Sequence, residues 1–328
     1  VILRTGRRGL LLGGASALAL ASAGLRAQTA APIHIVVPFA PGGGNDVFAR
    51  QMARGLGDLR KQTVLVDNRP GAGGNLGTEF VVRAPADGNT LLLGHTGTVS
   101  INPALYRKLA FDPAKDLLPV AMFASSALVL VVPASSSVKT VAELLSQARG
   151  FAGGMNFASS GAGTGGHLTG ELFAQKTGVK MTHVPYKGTA PALSDLAGGQ
   201  VQLMFSVIPA ALALVKGGRL RALAVTSDKR LPLLPDVPTI AESGIAALRD
   251  FESSLTYGIL APKGTPEAVL RALSAQMVQV ASTADFQSRL DVEGATPLLG
   301  DSTRYAALIR KENAKWSAIV KASGASAD

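Results

Sequence analysis

The run His34-Ile-Val-Val-Pro-Phe-Ala-Pro-Gly-Gly-Gly-Asn-Asp-Val-Phe-Ala-Arg50 joins a short apolar strand to an amphipathic helix through Gly42, Gly43 and Gly44. Glycine lets the backbone turn tightly and approach a ligand closely, and the first N–H groups of a helix have no partner within it. Such a junction suits a carboxylate or phosphate held by main-chain donors. Phe39 and Ala40 lead into it, and Asn45, whose amide can cap a helix or donate to a ligand, leads out. Asp46 is grouped with these residues, although its first-turn position suits a helix acid and its charge would repel an anion.

Three other stretches rich in glycine or hydroxyls follow predicted strands: Gly94-His-Thr-Gly-Thr98, Ser159-Ser-Gly-Ala-Gly-Thr-Gly-Gly-His167 and Tyr186-Lys-Gly-Thr189. In open parallel sheets, ligands bind outside the carboxyl ends of strands, so these loops complete a candidate site. Its residues are His95, Thr96, Ser159, Ser160, Gly161, Gly163, Thr164 and Tyr186. No Gly-x-Ser-x-Gly elbow accompanies the serines, which are hydroxyl donors rather than nucleophiles. The four histidines, His34, His95, His167 and His183, lack metal-ligand spacing, and no metal site is expected. His167 stands four residues before Glu171 on a predicted helix, the spacing of a simple intrahelical pair.

Gly161, Gly163 and Gly166 also satisfy a Gly-x-Gly-x-x-Gly pattern between a strand and a helix, which leaves an exported dinucleotide-binding oxidoreductase as an alternative. The following strand ends in Tyr186-Lys187 rather than in an acid for the adenosine ribose. No convincing catalytic group accompanies it, so the chain reads as a non-enzyme without a cofactor. A ligand-sensing protein with no transport role is a further alternative.

The elements that must position these loops alternate. Short β-branched or leucine-rich runs at 33–38, 63–66, 90–93, 128–132, 155–158, 183–186, 201–205 and 220–225 read as buried strands. Helical patterns at 46–59, 78–84, 140–149, 167–177, 190–198 and 210–216 separate them, which predicts mainly parallel sheets covered on both faces. After 254–260 the chain reads as helices at 266–281, 284–292 and 302–322, expected to pack back on the first lobe. Runs 119–133 and 251–262 are long enough to cross between two lobes, leaving a hinged cleft.

Composition narrows the class. Arg4, Arg7 and Arg8 precede the apolar run Leu10-Leu-Leu-Gly-Gly-Ala-Ser-Ala-Leu-Ala-Leu-Ala-Ser-Ala23 and then Ala27-Gln28, so residues 1–27 are expected to form an export signal of the twin-arginine or general secretory type. The run is short of the ~20 apolar residues of a spanning helix. The formal charge of +10 includes Arg4, Arg7, Arg8 and Arg26, leaving +6 for the remainder. Basic residues are scattered and aromatics make up 5%, which argues against nucleic-acid binding and suits small anionic ligands. The chain has no cysteine, which excludes disulfides, thiolate metal sites and a lipid-modified cysteine among these residues. Periplasmic residence as a monomer is the expectation.

Ordered motifs carry a likeness from about residue 33 to the final helix. Val37-Pro-Phe-Ala-Pro-Gly-Gly-Gly-Asn-Asp46, Val66-Asp-Asn-Arg-Pro-Gly-Ala-Gly-Gly-Asn-Leu-Gly-Thr78, Ile101-Asn-Pro-Ala-Leu-Tyr106, His183-Val-Pro-Tyr-Lys-Gly-Thr-Ala-Pro-Ala-Leu193 and Pro235-Asp-Val-Pro-Thr-Ile-Ala-Glu-Ser-Gly244 resemble the Bug-type receptors of tripartite tricarboxylate transporters. The resemblance implies a two-lobed α/β fold of the type II periplasmic binding-protein arrangement, with residues 31–124 and 253–328 in one lobe and 125–252 in the other. It implies a small carboxylated solute as ligand and a membrane permease as partner. A ligand carboxylate would lie between Phe39, Ala40, Gly42, Gly43, Gly44 and Asn45 on one side and Ser159, Ser160, Gly161, Gly163 and Thr164 on the other. Met204-Phe205-Ser206 departs from the family's frequent Met-Phe-Asp, so Ser206 replaces an acid that could receive a ligand ammonium group, which argues against an amino-acid ligand. Ala162 likewise replaces a polar residue in the second loop.

Overall fold

The computed structural model describes residues 31–151 and 153–327. The segment read as an export signal lies outside them. The apolar runs form ten strands: β1 Ile33–Val37, β2 Val64–Asn68, β3 Thr90–His95, β4 Leu117–Pro133, β5 Met155–Ser159, β6 Met181–Pro185, β7 Leu203–Val207, β8 Leu220–Val225, β9 Ser254–Pro262 and β10 Ala295–Gly300. Their order is β2-β1-β3-β9-β4-β7-β5-β6, with β8 and β10 also pairing with β4.

β4 belongs to both lobes. Residues 117–127 pair with β9, whereas Leu128–Pro133 pair with β7 and β8. The sheets are mixed rather than mainly parallel. Parallel pairing joins β1 to β2 and β3, and β5 to β6 and β7, where helices provide the crossovers. β4 carries the chain out of the first lobe and β9 leads it back, so those two run antiparallel. β9 itself pairs only along the first lobe; the return crossing lies just before it, where Phe251 sits in the second core and the Ser253 N–H donates to the Thr226 carbonyl at 2.9 Å.

Periodicity hides β10, because the stretch 295–300 contains Pro297 and lies between two helices. It is an edge strand against β4, with a register shift near Pro297. The final helix also differs from expectation. Ser302–Ser323 has 22 residues and is therefore roughly 33 Å long. That length reaches both lobes: Tyr305 and Ile309 pack with Val36, Leu92 and Leu260, while Trp316, Ile319 and Val320 pack with Leu128, Phe173 and Phe205. The first lobe's Ile101 and Leu105 enter the same second core. Among the described residues, no helix is long and apolar enough to cross a membrane.

Candidate functional site

The loops after β1, β3 and β5 converge on a cavity of about 180 Å³ between the two lobes. Phe39, Asn45, His95, Ser160, Gly163 and Thr164 line it, six of the residues singled out from the sequence. None of the lining residues is an aspartate, glutamate, lysine or arginine. Any anion there would rely on neutral donors.

The first loop is fastened from below. Gly42 has φ +89°, a left-handed conformation that favours glycine, and its N–H donates to Asp46 Oδ2 at 3.0 Å. The same carboxylate accepts from Arg50 Nε at 2.9 Å and, through Oδ1, from Asn68 Nδ2 at 3.0 Å. Burial opposes ionisation of Asp46, but the hydrogen bonds from Arg50, Gly42 and Asn68 outweigh it and hold the carboxyl below the ordinary range. Asp46 thus organises the loop; it is buried and does not line the cavity. Gly43 begins the helix Gly44–Arg60 as its N-cap, and a Cβ added at Gly43 would meet nothing within 4 Å. Ala40, Gly42 and Gly43 are exposed and, like the half-buried Gly44 and Gly161, do not line the cavity. Asn45 turns inward, and its Oδ1 is buried with no protein partner.

The second loop follows the same plan. Gly163 has φ +78°, and its N–H donates to His167 Nδ1 at 3.0 Å. His167 Nε2 lies 3.6 Å from Glu171 Oε1, so the intrahelical pair exists, but the ring's other nitrogen has a second task that spacing does not reveal. Thr164 is the N-cap of the helix Gly165–Thr177, and Gly165 and Gly166 line the cavity at its first turn. Ser159 is fully buried; its Oγ accepts the Gly161 N–H at 3.1 Å and lies 2.6 Å from His183 Nε2. Burial, reinforced by the neighbouring His167, lowers the His183 pKa to about 3.

His95 forms one wall. Its ring stacks on Phe39 at 4.9 Å, and its Nδ1 accepts the Gly97 N–H at 2.7 Å, which leaves the ring proton on Nε2. Burial brings its pKa to about 4, so at neutral pH it is an uncharged donor. Thr96, Tyr186 and Ser206 do not line the cavity. Thr96 Oγ1 accepts the Thr256 N–H at 2.9 Å, the Tyr186 hydroxyl donates to Asp195 at 2.8 Å, and Ser206 is enclosed in β7 opposite Val129. Each serves the frame of the site.

Sequence reasoning missed several lining residues. Asn102 and Tyr106 lie inside a quoted motif but were assigned no role; Asn102 Nδ2 donates to the Gly73 carbonyl at 3.0 Å and to Asn75 Oδ1 at 2.7 Å. Leu128, Met204, Phe205, Val207, Leu255 and Tyr257 supply an apolar wall from β4, β7 and β9, and nothing in strand-like sequence distinguishes them from core. The glycines of the dinucleotide pattern have packing reasons of their own. A Cβ at Gly163 would run into Leu105 of the other lobe, and one at Gly166 would lie 2.5 Å from the Phe205 carbonyl oxygen.

Residues 48–325 match the family model described as "Tripartite tricarboxylate transporter family receptor". The chain belongs to this family. Protein BugT of Bordetella pertussis is 35% identical over 313 residues, covering 93% of this chain and 95% of BugT. R. palustris Rpa4515, solved with adipate, superposes with a TM-score of 0.79 at 37% identity, covering 90% of this chain and 98% of that one. MatC from Rhodopseudomonas palustris, solved with malate, gives a TM-score of 0.75 at 32% identity, covering 88% and 98% respectively. The family assignment places the chain among solute-binding receptors of Bug type with the two-lobed α/β fold.

Proposed function

We propose that this chain is a periplasmic receptor that takes a small carboxylated solute into the interlobe cavity and delivers it to a membrane permease of the tripartite tricarboxylate type. The observation that carries the reading is a cavity lined from both lobes, with no formally charged side chain, onto which two helix starts converge through Asn45 and through Gly165 and Gly166. First-turn amides lack carbonyl partners within their helix and carry the positive end of its dipole. A carboxylate between them satisfies donors of both lobes at once. Relatives solved with adipate and malate support that ligand class.

Hydrogen bonds to a charged group contribute about 1.5–3 kcal/mol each, so three or four, less desolvation and ordering costs, reach the ~8 kcal/mol of micromolar affinity. The neutral donors Ser160 and His95 Nε2 supplement the amides, while the Thr164 hydroxyl donates to the Gly161 carbonyl at 2.8 Å and Asn45 lines the cavity with an amide oxygen that lacks a protein partner. On this reading the lobes are 31–124 with 253–328 and 125–252, the hinge lies at the middle of β4 and just before β9, and closure on the solute presents the surface a permease recognises.

Isothermal titration calorimetry of the folded protein against mono-, di- and tricarboxylates tests the proposal. Saturable one-to-one binding of at least one acid is expected, with no binding of NAD or NADP. Silence across the panel overturns it. Mass spectrometry of solute released from purified protein would identify the ligand.

A further inference from the structure

The loops after β1 and β5 differ by one residue in length but enter their helices in the same way. Gly42 corresponds to Gly163, each with positive φ, each one residue before the N-cap, and each donating its N–H to the side chain four residues later. That side chain is Asp46 in the first loop and His167 in the second. The first acceptor is a carboxylate anchored by Arg50 and Asn68. The second is a neutral imidazole nitrogen.

We propose that His167 is a positioning residue of the binding site: by accepting the Gly163 N–H it holds loop 160–164 in the form that lines the cavity, and its protonation releases that loop. Because Nδ1 is the acceptor, the ring proton sits on Nε2, toward Glu171 at 3.6 Å. A second proton must enter at Nδ1. There it meets the Gly163 N–H head-on at 3.0 Å, and two donors cannot share one hydrogen bond.

The surroundings transmit the change. His183 on β6 stacks on the His167 ring with centroids 3.7 Å apart, and Phe157 on β5 packs against both rings. His183 holds the other end of the loop through Ser159, whose Oγ accepts the Gly161 N–H. Glu171 is the acid that faces the ring from its own helix and favours the cation, while stacking against His183 forbids charging both rings together. Gly163 also packs on Leu105 of the other lobe, so a shift of this one amide alters the interlobe contact. Protonation of this ring therefore acts on the second half of the site, whereas the first half is tied by the Asp46 carboxylate.

The inference rests on the receptor reading for its effect on binding, but the clasp has a readout that needs no ligand. In ligand-free protein labelled with 15N, a scalar coupling across the hydrogen bond between the Gly163 amide and His167 Nδ1 is expected at pH 8 and lost by pH 5, with the Gly163 resonance moving in step. A Gly163 amide unchanged over that range overturns the proposal. Adipate is the binding probe, compared in wild type, H167N and H167F. Asparagine keeps an acceptor at the reach Asp46 shows, without titrating; phenylalanine keeps a ring against His183 but has no acceptor. H167N is expected to bind adipate within about threefold of wild type at pH 8. Any acid loss that H167N shares belongs to the ligand's own titration and to groups other than His167, and wild type should lose at least a further factor of about ten by pH 5. H167F should be weaker by that factor at both pH values. Wild-type affinity in H167F, or an acid loss in H167N as large as in wild type, overturns the positioning role. If wild type binds no acid of the panel, the receptor reading falls while the amide measurement still decides the clasp.

Discussion

Set side by side, the loop after β1 and the loop after β5 show how one backbone plan is stabilised by two different chemistries. Both place a left-handed glycine before a helix start and tie its amide to the third helical residue. In the first loop, Gly43 faces open space and a carboxylate paired with Arg50 does the tying. In the second, Gly163, Gly165 and Gly166 are pressed against Leu105, Leu255 and Phe205, and an imidazole does it. In the open loop the backbone conformation demands glycine at Gly42 and leaves space at Gly43, whereas the crowded loop needs glycines to fit.

The largest difference should appear on adding side chains. In Gly166→Val the new Cβ falls 2.5 Å from a backbone oxygen that cannot move aside, so thermal or urea unfolding should show a loss of about 3 kcal/mol or more. Asp46→Ala comes next: it removes the acceptor of the Gly42 N–H, Arg50 Nε and Asn68 Nδ2, and about 2 kcal/mol of stability should disappear in the same measurement. A smaller effect would show that water replaces the carboxylate at little cost.

Acid should separate the loops further. His183, with its pKa brought to about 3 by burial and the nearby His167, binds fewer protons folded than unfolded. Its contribution to stability is complete above the unfolded value near 6.5 and is lost as pH falls from there toward 3, with a slope of at most about 1.4 kcal/mol per pH unit. The folded pKa of Asp46 is lowered instead, so its contribution stays intact until pH falls below the ordinary carboxylate range. Urea titrations from pH 7 to 3 should therefore lose stability first in wild type but less steeply in H183N, while D46N removes only the most acidic part of the decline. The smallest stability effect belongs to Gly43→Ala, at φ −89° with no neighbour within 4 Å: a change within about 0.5 kcal/mol. If adipate affinity also survives that change, the carboxylate does not approach the first loop at Gly43.

Much of this architecture is legible in the chain. The strand runs and intervening helical patterns locate nine of the ten strands to within a few residues, because a buried strand or an amphipathic helix leaves its period in adjacent residues. β10 escapes because an edge strand with a proline has no such period. The glycine-rich loops stand out because local backbone geometry demands that residue type, and they are the loops that line the cavity. The equivalence of Asp46 and His167 does not stand out, since the two side chains share no chemistry until their acceptor atoms are seen on matching amides.

What the sequence by itself determined is whatever depends on neighbours along the chain: strand and helix positions, the turns that need glycine, and a family signature dense enough to identify a receptor. The tertiary structure alone decided which ends meet. β4 serves both lobes, the last helix spans them, and residues as distant as Asn45, Asn102, Gly165 and Tyr257 enclose one cavity. Side-chain alternation and helical period record which face of an element is buried, but they carry no record of the partner that buries it.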